Sequence, residues 1–294
     1  MVTKAVIPVA GLGTRVLPAS KSIPKEMLPV VDKPAIQLVI EEAIEAGIKE
    51  IILVTRSGKE AIENHFDKHY ELEAELERKG SSKAAILDSV RNILPADVRI
   101  CAVRQPDAKG LGHAIHCAAP FVGEEPFAVL LPDVLVDCRD TETHDLQRMI
   151  STFNQNGCTQ VMVEKVAQED ISKYGIADCK YSPEAGNSCK VNGFIEKPDP
   201  AIAPSDLAVV GRYVFPARIM SLLADTQPGA GGEIQLTDAM DELRHEQSMQ
   251  VYRMSGLTFD CGNKAGYVEA VLHYALRHPE TKDATRKLIN NLSD

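Results

Sequence analysis

Four short apolar runs in the first half of the chain set the strongest limit on its fold. Ala5 to Val9, Ile51 to Thr55, Val98 to Val103 and Phe127 to Leu131 are each of strand length and largely apolar at successive positions, not alternate ones. A strand of that kind is buried on both faces, which a parallel sheet covered by helices provides. Helical patterns separate the runs. The clearest spans Pro34 to Ala46, with Ile36, Val39, Ile40, Ala43 and Ile44 on one face and Gly47 placed to stop it. Right-handed crossovers then put the carboxyl ends of the strands, and the loops leaving them, along one edge. Binding chemistry is expected in those loops.

The remainder departs from this rhythm. Glu60 to Leu94 reads as a charged helical excursion, with Glu71, Glu73, Glu75 and Glu77 on a solvated face. Beyond Thr159 strands dominate: Gln160 to Val166, Gly175 to Lys180, Val191 to Glu196 and Ala208 to Phe215, with a turn at Ser182 to Asn187. This predicts an antiparallel portion appended to a mixed, mainly parallel sheet. Helices over Ile234 to Gln247 and Lys264 to Arg277, then a charged C-terminal helix, close the chain. No repeat, low-complexity tract or linker divides it. The 294 residues suit one mixed α/β domain.

The first run ends in Val9-Ala10-Gly11-Leu12-Gly13-Thr14-Arg15, and Lys21 and Lys25 follow closely. Glycines after a buried strand let backbone N–H groups cradle phosphate oxygens. Arg15 adds a planar fork and Lys25 a compact cation. A dinucleotide fingerprint would need a third glycine where Val16 stands, and Asp32 precedes a helix instead of ending a second strand. An ATPase P-loop pattern occurs nowhere. A plain strand-to-helix turn remains the bland alternative, and the gathering of Arg15, Lys21 and Lys25 weighs against it.

Composition narrows the partners. A formal charge of −10, few aromatics and no tryptophan disfavour a nucleic-acid surface. The seven cysteines form no C-x-x-C pair, which fits neither a disulfide framework nor structural zinc. No run approaches a membrane span, and the N-terminus lacks a signal-peptide layout. The chain is expected to be cytoplasmic.

A second loop, Gln105 to Ala114, contains Lys109-Gly110-Leu111-Gly112-His113. Gln105 can donate to and accept from a base edge, and the glycines permit close backbone approach. His113 with His116, and His65 with His69, have helical spacing, but neither pair has the carboxylate of H-E-x-x-H. Asp133 ends the Phe127 run, and Asp260 lies in Thr258-Phe259-Asp260-Cys261-Gly262-Asn263. Either could be a helix cap alone. Brought to one sheet edge they make a hard oxygen site for magnesium, which takes one or two carboxylates with phosphates and waters. Asp137 stays open as a further ligand. In the strand-rich half, Glu196 can accept from hydroxyls and Lys197 can neutralise a phosphate, although Glu-Lys-Pro alone reads more readily as a strand end.

Ala10-Gly11-Leu12-Gly13-Thr14-Arg15 followed by Lys25-Glu26-Met27-Leu28-Pro29 resembles the signature of the sugar-phosphate nucleotidyltransferases. The run through Val31-Asp32-Lys33-Pro34 and Ile36-Gln37 is similar to the bacterial UTP–glucose-1-phosphate uridylyltransferases among them, and the likeness covers nearly the whole chain. It implies a Rossmann-like nucleotidyltransferase fold, Mg2+ dependence, UTP and glucose 1-phosphate as substrates, UDP-glucose and pyrophosphate as products, and a homo-oligomer, tetramer or dimer. It implies that Arg15 and Lys25 are catalytic. Ala10, Gly11, Gly13, Thr14, Glu26, Gln105, Gly110 and Gly112 would bind the nucleotide. Gly175, Glu196, Lys197, Val209 and Gly211 would hold the sugar phosphate, and Asp133 and Asp260 the metal. Residues 1–150 would form mainly the nucleotide half and 151–294 mainly the sugar half. Gly229 to Asp238 would close the pocket. The alternatives are the same chemistry with dTTP or another hexose phosphate, and a non-catalytic regulatory relative that binds sugar nucleotide.

Overall fold

The computed structural model describes residues 1–141 and 144–292. The first apolar run forms β1 (Lys4–Pro8), and a short hairpin of β2 (Pro29–Val30) and β3 (Lys33–Pro34) leads into the helix Ala35–Glu45. The next runs form β4 (Glu50–Thr55), β5 (Arg99–Arg104) and β6 (Phe127–Leu130), then β7 (Val134–Asp137) follows a tight turn. The second half supplies β8 (Thr159–Lys165), β9 (Gly175–Cys179), β10 (Ser188–Glu196), β11 (Leu207–Phe215), β12 (Met249–Arg253) and β13 (Leu257–Asp260).

Nine of these strands make one mixed sheet in the order β5-β4-β1-β6-β11-β8-β12-β10-β9, with one more bridge from β9 to β11. The β5, β4, β1 and β6 block is parallel, as the continuous apolar runs predict. Its two faces feed separate cores. Ile7, Ile51, Leu53 and Leu130 join one cluster with Ile36 and Ile40, while Val6, Ile52, Val54 and Val129 join the other with Phe215 and Leu223. Each such aliphatic side chain contributes about 1.5–3 kcal/mol by leaving water.

The antiparallel portion is continuous with this block. β11 pairs antiparallel with β6 on one side and β8 on the other, and β12 lies parallel to β8. The register Val54↔Pro8 and Thr55↔Arg104 aligns the carboxyl ends of the parallel strands. Separately from the sheet, β7 and β13 form an antiparallel ribbon in which Val134 faces Asp260. That ribbon, the β2–β3 hairpin, β12 and the helices Asp145–Asn156 and Arg218–Asp225 were not distinguished by the apolar pattern. The charged excursion divides into helices Glu60–Phe66, Tyr70–Arg78 and Ala84–Arg91. No helix among the described residues is long and apolar enough to cross a membrane.

Candidate active site

The loop after β1 wraps around its own basic residues. Gly13 takes φ 67°, the left-handed region that glycine enters without a Cβ clash, and a Cβ there would sit 3.2 Å from both the Lys25 and Ser20 Cβ atoms. Ser20 Oγ donates to the Gly13 carbonyl at 2.7 Å and fixes the turn. A short 3₁₀ turn over Lys25–Met27 then sends successive side chains in different directions. Lys25 Nζ reaches Asp133 Oδ2 at 2.5 Å, while Glu26 turns inward and accepts from Lys59 Nζ at 2.6 Å. Glu26 and Lys59 are both buried, and Glu26 Oε1 has no hydrogen-bond partner among the described residues. Burial pushes the Glu26 carboxyl above its ordinary range despite the pull of Lys59, and burial likewise lowers the Lys59 ammonium.

The ribbon register brings the acids together. Asp133 precedes β7, Asp260 ends β13, and Arg15 lies between them, its guanidinium nitrogens 3.5 Å from Asp133 Oδ2 and 3.6 Å from Asp260 Oδ2. Burial opposes ionisation of Asp133, but Lys25, by charge and hydrogen bond, and then Arg15 hold its carboxyl below the ordinary value. Gly262 donates its N–H to Asp260 Oδ1 at 2.8 Å, and Asn263 Nδ2 donates to Asp260 Oδ2 at 3.0 Å. Asn263 also caps the helix Lys264–Ala275 by accepting from Gly266 N–H.

A Cβ on Gly262 would meet Asp133 Oδ2 at 2.5 Å and both Asp260 Oδ1 and an Arg15 nitrogen at 2.8 Å. The two carboxylates and Arg15 therefore converge on the space a side chain would fill. This donor set fits a hard divalent ion that completes its shell with phosphate and water oxygens. Nucleotidyltransferases of this kind generally use such an ion. Gly262 was missed in the sequence reading, where its only signal was a place beside Asp260.

Arg212 was missed as well. It is fully buried, and its guanidinium donates to Glu42 Oε1 at 2.9 Å, Glu42 Oε2 at 2.6 Å, the Leu131 carbonyl at 3.0 Å and the Val134 carbonyl at 2.6 Å. Beside it Gly211, at φ 95°, accepts from Leu131 N–H, and a Cβ there would come within 2.7 Å of the Leu131 side chain. Gly211 thus packs against the turn that carries Asp133.

On the second loop, Gln105 Nε2 lies 3.2 Å from the Gly110 carbonyl and 3.1 Å from His113 Nδ1. The missing side chains of Gly110 and Gly112 make room for protein: a Cβ would sit 2.7 Å from Glu233 Cβ or from the Ile234 carbonyl, respectively. Gly112 N–H donates to Ile234 O, and Ile234 N–H donates to Lys109 O, so the 229–235 loop docks directly on this segment. The other histidines make local contacts: His116 with Met220 O, His65 with Gln37 Oε1, and His69 with Leu72 N–H.

The β9–β10 register sets Gly175 opposite Glu196, whose Oε2 would lie 3.0 Å from a Gly175 Cβ. Lys197 Nζ lies 3.2 Å from Glu196 Oε1, and both side chains are exposed. Lys197 holds φ 46°, a left-handed conformation that costs a non-glycine residue about 1–3 kcal/mol. Val209, on β11, faces the same glycine, 3.9 Å from its notional Cβ.

Asp137 stands apart from Asp133. It accepts from both nitrogens of the Arg139 fork, at 2.8 and 2.6 Å, and lies 2.6 Å from His273 Nε2. Burial raises its pKa, but these partners outweigh it and hold the carboxyl well below the usual range. Asp137 and Arg139 line a cavity of about 390 Å³ with Lys33, Glu42, His144 and Tyr274. Neither Arg15, Lys25, Asp133 nor Asp260 reaches it.

Comparison with known proteins places the chain in a family. The family model described as Nucleotidyl transferase matches residues 4–277. A UTP–glucose-1-phosphate uridylyltransferase of Haemophilus influenzae is 53% identical over 293 residues, 99% of each chain. Among solved structures, a UTP-bound UGPase from Acinetobacter baumannii superposes with a TM-score of 0.94 at 53% identity, covering 99% of this chain and all of that one. A UDP-glucose pyrophosphorylase complexed with UDP-glucose gives 0.84 at 40% identity, over 95% of this chain and 100% of its own. With the loop after β1, the paired acids and the mixed sheet all in place, the chain belongs to the nucleotidyl transferase family.

Proposed function

We propose that the protein transfers uridylate from UTP to glucose 1-phosphate, forming UDP-glucose and pyrophosphate. The observation that carries this reading is the meeting of Arg15 and Lys25 with Asp133 and Asp260 at one edge of the sheet. Relatives bearing that activity in their names, about half identical over nearly the full chain, supply the substrates.

A phosphate monoester has its second pKa near ~6, so the glucose 1-phosphate oxygen is largely anionic at neutral pH and needs no general base. It attacks the α-phosphorus of UTP; the new P–O bond forms as the bond to the β-phosphate oxygen breaks, and pyrophosphate leaves with the electron pair. The obstacle is bringing two polyanions into line, so positioning and charge compensation dominate. Backbone N–H groups from Ala10 to Thr14 cradle the triphosphate, and Arg15 and Lys25 stabilise its growing charge. Gln105, with the Gly110 and Gly112 backbone, reads the base, and Glu26 borders the same nucleotide pocket. Glu196 accepts from the hexose beside Gly175, Val209 and Gly211, and Lys197 receives its phosphate.

Mg2+ is the proposed ion, held by Asp133 and Asp260, where it supplies charge neutralisation to the phosphates. Residues 1–150 serve chiefly the nucleotide and 151–294 chiefly the sugar, within a cytoplasmic homo-oligomer. The test is pyrophosphate release with Mg2+, glucose 1-phosphate and either UTP or dTTP. Turnover with UTP well above that with dTTP is expected. Equal rates would remove the uridylate assignment, and no turnover with any pairing would remove the transferase reading.

A further inference from the structure

We infer that Arg212, backed by Glu42, is a positioning residue that sets the metal-binding geometry of Asp133. This deepens the proposed function and rests on its assignment of Asp133 to the metal. Arg212 lies on β11, while its acceptors come from three other places: Glu42 on the helix Ala35–Glu45, Leu131 at the end of β6, and Val134 at the start of β7. The two carbonyls bracket the Pro132-Asp133 turn on both sides. Pinning them fixes the path of the chain that carries the carboxylate.

The third restraint comes from Gly211, whose carbonyl accepts from Leu131 N–H. The turn is therefore gripped by donors and acceptors of one strand segment. The carboxylate itself is met by Lys25, whose Nζ donates to Asp133 Oδ2 at 2.5 Å.

The energetics favour a positioning role over a purely stabilising one. A buried ion pair gains little over well-packed apolar residues because both ions lose their hydration. A guanidinium, by contrast, offers donors in a rigid fork, so four acceptors from three elements can be held in one plane. Lysine, a single ammonium on a flexible stem, cannot span the same set. Groups that hold metal ligands in place typically change metal affinity ~10–100-fold when removed.

The experiment compares Arg212→Lys and Glu42→Gln, each alone and combined with Asp133→Asn, and Asp133→Asn by itself, with the parent full-length protein. Mn2+ binding is followed by loss of the free-ion EPR signal in the presence of UDP-glucose. The Mg2+ half-saturation of pyrophosphate release and the urea unfolding midpoint are recorded alongside. Arg212→Lys is expected to weaken Mn2+ binding about 10-fold or more in the parent background, yet less than about twofold when Asp133 is already Asn, because the effect passes through that carboxylate.

A lowered unfolding midpoint with Mn2+ affinity kept within about twofold would make Arg212 merely structural and overturn the inference. Equal weakening in both backgrounds would overturn it too. Should Arg212→Lys fail to fold, Glu42→Gln, which keeps the shape but replaces one of the two oxygens that accept from Arg212 with a donating amide nitrogen, is judged by the same background comparison. Unchanged Mn2+ affinity in Asp133→Asn itself marks failure of the metal assignment, which is distinct from failure of the clamp.

Discussion

Adding one carbon at Gly262 tests whether the gap between the two acids is used by the reaction. In Gly262→Ala the new Cβ would stand 2.5 Å from Asp133 Oδ2, where ordinary contact begins near 3.4 Å, so about 0.9 Å of movement is demanded. The same atom would press an Arg15 nitrogen and Asp260 Oδ1, each at 2.8 Å. Asp133 cannot yield freely, because Lys25 holds the oxygen under pressure and the Leu131 and Val134 carbonyls are tied to Arg212. Arg15, which is more exposed, gives way first.

A displacement of about 1 Å within a site of this kind can lower turnover on the order of 100-fold, or roughly 2.7 kcal/mol of barrier. The fold should suffer less, since the atoms displaced are side-chain ends. The assay is pyrophosphate release at saturating UTP and glucose 1-phosphate over a Mg2+ titration, with the urea midpoint measured on the same preparation. The expected result is a large fall in kcat and a raised Mg2+ requirement at a nearly unchanged midpoint. Turnover within about threefold of the parent at the same Mg2+ half-saturation would show that the gap is not used, and would refute the reasoning.

Lys25→Ala is expected to lower kcat by ~100-fold or more while changing the KM for glucose 1-phosphate by less than about threefold, because the cation packs against the glycine loop after β1 and donates to Asp133; steady-state kinetics in both substrates checks the split. Gly112→Ala should destabilise the protein by about 1–3 kcal/mol, since its Cβ meets backbone at Ile234 O and cannot be absorbed by a rotamer change; urea unfolding at neutral pH measures it. Asp137 has a folded pKa depressed by Arg139 and His273, so its stabilisation is present above the unfolded value near ~4 and is lost as pH falls toward the folded one. Asp137→Asn should therefore flatten the decline in stability below pH ~4, and an unfolding series that still falls as steeply as the parent's would refute that assignment.

Sequence alone determined what depends on neighbours in the chain. Runs of successive apolar residues placed β1, β4, β5 and β6 each to within a residue at either end, because a strand buried on two faces leaves no other pattern. The loop after β1 was legible for a similar reason: Gly11, Gly13, Arg15 and Lys25 lie close enough in sequence for their chemistry to be read together. Asp133 and Asp260 were visible as acids leaving apolar strands, but not as a pair. The register of β7 against β13 made them one, and those short strands carry too mixed a pattern to announce a pairing over so long a separation.

The same holds for Arg212 and Glu42, which look like surface residues until the fold buries both. Their neutralising partners come from distant elements, and burial of charge is decided only when those partners arrive. Gly110 and Gly112 carry a related lesson. Their lack of side chains suggested room for a ligand's backbone contacts, whereas in the fold that room also admits Glu233 and Ile234 from a remote loop. Local sequence announced the glycine-and-basic loop after β1. Long-range register, and the exclusion of water around a few buried polar groups, decided what the loop faces.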